Sequence, residues 1–163
     1  MSVRDPYFAN EKWQYSYYPS PVSRKMPKWL SMMRLWPGHE AIGDLMHEVY
    51  QAVFGGQYRL AAMGIRAVLE QVMILKVGDR EGFIKNLDAF QREGFISQRQ
   101  RESILPTLEV GHAAMHRAYE PTEEDLYTAL DVVEGVLAPI FGHADEAKNM
   151  GKRVPSKSKR ISS

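Results

Sequence analysis

The amino-acid sequence predicts an all-α protein in which a bundle of four to five helices follows an extended aromatic N-terminal arm. Apolar residues recur at helical spacing in several stretches of residues 37–143, and glycine or proline separates these stretches. Apolar residues make up 44% of the 163-residue chain, which is enough to build one core. We therefore predict a single helical domain at 37–143, between an arm at 1–36 and a tail at 144–163.

Composition excludes several classes of protein. The chain contains no cysteine, so disulfides, thiolate metal sites and cysteine nucleophiles are excluded and an intracellular location is favoured. The N-terminal residues lack the apolar core of a signal peptide, and no apolar run is long enough to span a bilayer. We expect a cytoplasmic protein with no membrane segment.

The arm at residues 1–36 is rich in aromatic residues and proline. Its prolines exclude a long helix, because proline lacks the amide hydrogen and clashes with the preceding turn. We predict an extended segment, which could include one short strand at residues 14–18, with its rings packed on the helical body. The aromatic residues of this arm include Trp13, Tyr15, Tyr17, Tyr18, Trp29 and Trp36.

The tail at residues 144–163 is basic at its end. Residues 151–163 hold five of the 21 basic residues and none of the 20 acidic ones, although the net charge of the whole chain is only +1. We predict a disordered tail, because its composition offers little apolar surface to bury. Its charge suits contact with nucleic acid or an acidic partner, and a solubilising terminus would have the same composition.

Stop signals define two early helices. The first carries an apolar stripe from Ile42 to Val53 and ends at Gly55-Gly56. The second, at residues 58–77, is apolar on nearly every face. A helix of this kind belongs in the centre of a bundle.

Cap residues define three later helices. Asp79 is a candidate cap for the first of them, Ser97 and Gln100 form a capping-box spacing before the second, and Thr122 caps the last. Pro106 is expected to kink or divide the second of these helices. The expected buried positions are Phe83, Ile84, Leu87 and Phe90 in the first helix and Leu126, Leu130, Val133, Leu137 and Ile140 in the last.

The most informative feature is a pair of charges in the central helix. Arg66 and Glu70 are the only charged residues between Leu60 and Leu75, and they lie one helical turn apart. Arginine before glutamate is the less favourable order for a local ion pair, so we expect each charge to meet a polar group on a neighbouring helix. The pair belongs either to a buried packing network or to a functional pocket.

Two histidines in a late helix form a second candidate site. His112 and His116 are four residues apart among small residues, so both rings lie on one helix face. Such a pair could supply two metal ligands, with Glu109, Glu70 or His47 as a third, but no standard metal motif accompanies it. A hydrogen-bonded histidine pair is the favoured alternative. The sequence predicts no cofactor.

Several motifs together resemble a known bacterial family. They occur in the order Gly56-x-Tyr58-x-x-Ala61-x-x-x-x-Arg66-x-x-Leu69-Glu70, Glu93-Gly94-Phe95-Ile96 and Gly111-His112-Ala113-Ala114-Met115-His116. In the arm, Tyr18-Pro19 and Met26-Pro27 are similar to the family as well. The resemblance covers residues 13–141 and is to the family called domain of unknown function forty-one forty-five.

That family resembles the HEPN ("higher eukaryotes and prokaryotes nucleotide-binding") superfamily of helical domains, whose members commonly dimerise and often cleave RNA in toxin and defence systems. The resemblance therefore implies a HEPN-like bundle and a homodimer. Catalytic HEPN proteins carry an arginine that is separated from the active histidine by four to six intervening residues, whereas Glu109, Val110 and Gly111 occupy those positions before His116. A cation that would stabilise charge on phosphate is thus missing from the expected place.

Two smaller departures also separate this chain from its relatives. His112 stands where relatives usually have asparagine, and the chain lacks the cysteine-bearing metal ribbon with which many relatives begin. Elsewhere, Arg34 and His39 have the catalytic spacing, but Pro37 and Gly38 lie between them and predict a loop.

Three functions are open at this point. The leading hypothesis is a non-catalytic or degenerate dimerising module that binds nucleotide, RNA or a protein partner, with phage defence as its setting. The second is a metal-independent ribonuclease with His116 as general base and Arg66 or Arg117 on the phosphate. The third is a metal-binding protein built on His112 and His116. The expected polar network or binding surface consists of Arg66, Glu70, His112, His116 and Arg117.

Overall fold

A computed structural model describes residues 24–157, which form seven α-helices and one π-helical turn and contain no β-strand. The predicted all-α class is therefore confirmed. None of the helices in the described range is long and apolar enough to cross a membrane. The elements are α1 (Lys28–Met33), α2 (Glu40–Phe54), α3 (Tyr58–Val77), α4 (Phe83–Arg92), α5 (Gln98–His116), α6 (Glu123–Leu137), the π-helical turn (Ala138–Gly142) and α7 (His143–Arg153).

Helix α3 is the centre of the bundle, as its apolar faces predict. It packs against α2, α4, α5 and α6, and the side chains of Val68 and Val72 are completely enclosed. Gly56 has φ +71° and reverses the chain between α2 and α3, which is the stop predicted at this position. A Cβ atom at Gly64 would lie 2.6 Å from Cγ2 of Val49, so glycine allows α2 to approach α3 closely.

Reciprocal hydrogen bonds fix the starts of α5 and α6. The Gln100 amide donates to Oγ of Ser97 at 3.1 Å, and the Ser97 amide donates to Oε1 of Gln100 at 2.9 Å. Thr122 and Asp125 repeat this arrangement at 3.1 and 3.2 Å. These bonds satisfy amides that have no partner within the helix. Both starts predicted from the sequence are confirmed.

Helix α4 starts later than predicted, and Asp79 does not cap it. The Asp79 carboxylate accepts a hydrogen bond from the Glu81 amide at 2.9 Å within the preceding loop, where Glu81 has φ +60°. The helix begins only at Phe83, and Ile84 in its first turn points away from the core and is 53% exposed. Leu87 and Phe90 are buried as expected.

Pro106 does not divide α5, which runs without interruption from Gln98 to His116. The proline ring lies on the exposed side of the helix. The next residue, Thr107, donates its hydroxyl hydrogen to the carbonyl of Ser103 at 3.0 Å. A proline on the solvent side costs one backbone hydrogen bond without opening the core, so packing keeps the helix in one piece.

Residues 28–33 of the arm are helical rather than extended. Helix α1 begins directly after Pro27, a residue suited to a helix start, and buries Leu30 and Met33. Trp29 and Trp36 pack against the core, as predicted for the rings of the arm. The predicted strand at residues 14–18 and the other aromatic residues lie outside the described residues.

The tail also differs from its prediction. Where the sequence predicts disorder from residue 144, residues 143–153 form α7. Acidic residues in the first turn, Asp145 and Glu146, and basic residues in the last turn, Lys152 and Arg153, complement the helix dipole. Local charge therefore favours this helix, although none of its residues is buried.

Candidate functional site

A glycine at the crossing of α3 and α5 brings the candidate residues together. A Cβ atom at Gly111 would lie 2.8 Å from the carbonyl oxygen of Ala62 and 2.8 Å from Cβ of Arg66. The two backbones can therefore approach closely only because residue 111 has no side chain. This contact places Arg66 beside the turn of α5 that carries His112.

Arg66 is held at two points by neighbouring helices. Its Nη1 atom donates a hydrogen bond to the carbonyl oxygen of Leu108 at 3.2 Å. Its guanidinium carbon lies 4.7 Å from the ring centroid of Phe83 on α4, within the range of a cation–π interaction. The guanidinium thus joins three helices, and it meets a polar group on a neighbouring helix, as the sequence analysis expects.

Glu70 does not belong to the same arrangement. It is half-buried and forms neither an ion pair with Arg66 nor a hydrogen bond with any other residue of 24–157. Glu70 therefore makes no hydrogen bond or ion pair with His112 or His116, with which the sequence analysis groups it.

His112 and His116 form an adjacent pair on the surface of α5. Their ring centroids are 4.6 Å apart, with the planes tilted by 48° and no hydrogen bond between them. His112 is half-buried and His116 is exposed. Within residues 24–157 no three histidine, aspartate or glutamate side chains converge on a possible metal position. His47, a suggested third ligand, instead lies beside Gln51 on α2, with 3.2 Å between Nε2 of His47 and Nε2 of Gln51.

An exposed ion pair flanks the histidines. Arg117 donates a hydrogen bond from Nη2 to Oε1 of Glu109, and both side chains are more than half exposed. This hydrogen bond lowers the pKa of Glu109 below its usual value, and the positive fields of His112 and Arg66 add to the effect. The carboxylate of Glu109 therefore balances part of the positive charge that Arg117, His112 and Arg66 bring to this side of the bundle.

Replacing Arg117 should change the titration of Glu109. The substitution Arg117→Gln removes the hydrogen bond and the charge, so the pKa of Glu109 should rise toward its ordinary value. A lowered pKa contributes stability above the ordinary pKa of glutamate and loses it as the pH falls through the lowered value, and the variant should lack this pH dependence. NMR titration of the Glu109 carboxyl carbon measures the shift.

The control for this titration is Arg59→Gln, which breaks a comparable exposed ion pair between Arg59 and Glu120. It should leave the pKa of Glu109 unchanged. An equal pKa in the wild type and Arg117→Gln would contradict the assigned pairing.

The second arginine–histidine spacing, that of Arg34 and His39, lies between α1 and α2. Arg34 pairs with Asp44, while the ring of His39 packs edge-on against Phe141 with 5.0 Å between centroids. Residues 34–39 form turns between α1 and α2, as Pro37 and Gly38 predict. The two side chains are therefore engaged in separate contacts.

A groove that the sequence analysis misses lies between α5 and α6. Its volume is about 310 Å³, enough for one or two aromatic side chains, and Gly135 and Val132 line it. Asp131 at its rim pairs with Arg24 at 2.7 Å. Because the groove is made by two separate helices, no periodic pattern or local motif marks it in the sequence.

The fold and the α3–α5 surface define an all-α helical-bundle protein with a paired-histidine surface. Comparison with protein families then identifies the chain. The family described as Domain of unknown function (DUF4145) matches residues 47–163, more than half of the chain, and the protein belongs to this family. No curated protein and no solved structure gives a significant match.

Proposed function

We propose that this protein is a non-catalytic, HEPN-like module that forms a homodimer and binds RNA. The observation that carries the proposal is that Arg66 and Arg117, the two arginines considered for contact with phosphate, are already engaged. Arg66 is held by the Leu108 carbonyl and the Phe83 ring, and Arg117 is paired with Glu109. The HEPN resemblance implies phage defence as the biological setting in which the protein would bind RNA.

Metal-independent RNA cleavage requires both a general base and a cation aimed at the phosphate. His116 is exposed and could act as the base. The hydrogen bond to Leu108 and the contact with Phe83 fix the direction of the Arg66 guanidinium, and its Cβ is held at the Gly111 crossing. Arg117 carries the Glu109 carboxylate with it, which repels phosphate. The arrangement therefore supports binding better than catalysis.

RNA is the ligand that the accessible groups suit best. An exposed imidazole such as His116 can stack on an unpaired base, and cations contact phosphates without sequence specificity. The basic residues of 151–163 supply such cations. Nucleotide and protein partners are the other ligands considered in the sequence analysis.

The test follows binding and cleavage of single-stranded and structured RNAs by the wild type and by His116→Ala. We expect the wild type to bind without cleaving, and His116→Ala to bind less tightly by a factor of about 5 to 150, the range for one stacking contact of about 1–3 kcal/mol. His47→Ala, on α2, is the matched control. Cleavage that His116→Ala loses and His47→Ala keeps would establish the ribonuclease alternative.

A metal-binding function is the remaining alternative. It needs a third ligand, and the described residues do not place one beside His112 and His116. Stoichiometric zinc or nickel in the purified wild type, lost in His112→Ala, would support it. Metal-free protein that still binds RNA would support the proposed module.

A further inference from the structure

Helix α7 lacks the packing that normally stabilises a helix. None of its 11 residues is buried, and among residues 24–157 the adjoining π-helical turn is its principal tertiary neighbour. Helices shorter than about 12 to 15 residues are marginal in water without a packed face. A partner that covers one face of α7 would supply the missing stabilisation.

One face of α7 has the spacing of a two-helix seam. His143, Ala147 and Met150 of α7, with Val154 at its C-cap, follow each other at intervals of four, three and four residues, which is the a/d pattern of paired helices. Met150 and Val154 are large apolar side chains that are 59% and 65% exposed. The opposite face is polar and consists of Asp145, Lys148, Asn149 and Lys152.

The residues that flank this seam are self-complementary. Glu146 lies on one flank near the start of α7, and Arg153 lies on the same flank near its end. In an antiparallel pair, Glu146 of one copy faces the partner's Arg153, and two-fold symmetry forms the contact twice. In a parallel pair this flank would instead face the partner's other flank, and the two ion pairs would not form. The other flank has Ala144 and Gly151, whose small size allows close approach.

We propose that α7 pairs antiparallel with α7 of a second copy of this chain. Ala147 then packs against the partner's Met150, and His143 against the partner's Val154. The inference rests on the proposed function and specifies the interface of its homodimer. A helix of 11 residues is only about 16 Å long, so the pair buries less than the roughly 800 Å² per partner of a standard interface. We therefore expect a dimer that exchanges at micromolar concentrations.

Charge reversal of the full-length protein tests the interface. In sedimentation velocity, Glu146→Arg and Arg153→Glu should each weaken dimerisation by about tenfold or more, because like charges then face each other twice. The double variant Glu146→Arg/Arg153→Glu should recover the dimer. Asp145→Arg and Lys152→Glu make the same charge changes on the polar face and should leave it unchanged.

Cysteine pairing tests the orientation, and the natural chain contributes no cysteine of its own. When Ala147→Cys and Met150→Cys proteins are mixed and oxidised, the antiparallel pair predicts disulfides mainly between the two variants. A parallel pair instead predicts disulfides within each variant.

The outcomes separate the interface from the proposed function. The α7 pairing would be overturned if Arg153→Glu and Lys152→Glu weakened the dimer equally. It would also be overturned if neither variant affected the dimer, and in both cases dimerisation itself would stand. A wild type that stays monomeric at 100 micromolar, about a hundredfold above the expected range, would overturn both the pairing and the dimer. RNA binding is measured separately, so its absence does not affect this result.

Discussion

Gly111→Ala is expected to lower the free energy of unfolding by about 1–3 kcal/mol, the usual effect of forcing an extra group into a packed core. The new methyl group would lie 2.8 Å from the carbonyl oxygen of Ala62, a backbone atom of the central helix that cannot rotate away. The helices would have to separate by several tenths of an ångström. The hydrogen bond from Arg66 to Leu108 would then lengthen as well, so the site and the core should change together.

Urea denaturation of wild type and variant measures this change, and NMR reports the resonances of Arg66 and His112. Gly135→Ala is the matched control, since that glycine is also helical but has no atom within 4 Å of its would-be Cβ. Alanine there should stabilise the protein by up to about 1 kcal/mol through helix propensity. If Gly111→Ala were as stable as Gly135→Ala, the close contact of α3 and α5 would not hold.

The sequence is most informative where a local interaction decides the structure. The bounds of α3 follow from a long apolar segment that ends at Gly78, and the starts of α5 and α6 follow from capping boxes within four residues. These features need no knowledge of distant residues. They are sufficient to predict the all-α class and the position of the central helix.

Prediction is weaker where the outcome depends on a balance with distant packing. Asp79 is a residue type that often caps helices, yet its carboxylate accepts a hydrogen bond from the Glu81 amide in the loop after Gly78, and α4 starts at Phe83. Pro106 is a residue type that usually breaks helices, yet the packing of α5 on α3 keeps the helix continuous. Helix α7 has no buried stripe to mark it in the sequence, because none of its residues is buried against the rest of 24–157.

The candidate site shows the same division. The unusual position of Arg66 in an apolar helix is visible in the sequence, and so is the spacing of His112 and His116. The partner of Arg66 is a backbone carbonyl, that of Leu108, which any residue could provide and which therefore leaves no sequence signal. The close crossing of α3 and α5 at Gly111, which places Arg66 beside α5, likewise appears only in the three-dimensional structure.

The basic tail provides the largest expected effect on RNA binding. The triple substitution Lys157→Ser, Lys159→Ser and Arg160→Ser removes three cations beyond α7 and leaves the charges of that helix intact. Each phosphate contact contributes about 0.7 to the slope of log affinity against log salt for single-stranded RNA, so the slope should become shallower by up to about 2. Affinity near 50 mM salt should fall by about tenfold or more.

The matched control removes three exposed lysines from elsewhere, in the variant Lys25→Ser/Lys28→Ser/Lys85→Ser. It has the same net charge as the tail variant, so it separates a local contact from a general loss of attraction between the protein and RNA. Fluorescence anisotropy over a salt series measures both variants. Equal losses would mean that net charge alone controls affinity, and an unchanged tail variant would place the RNA contact on the bundle, where His116 is the exposed group to examine.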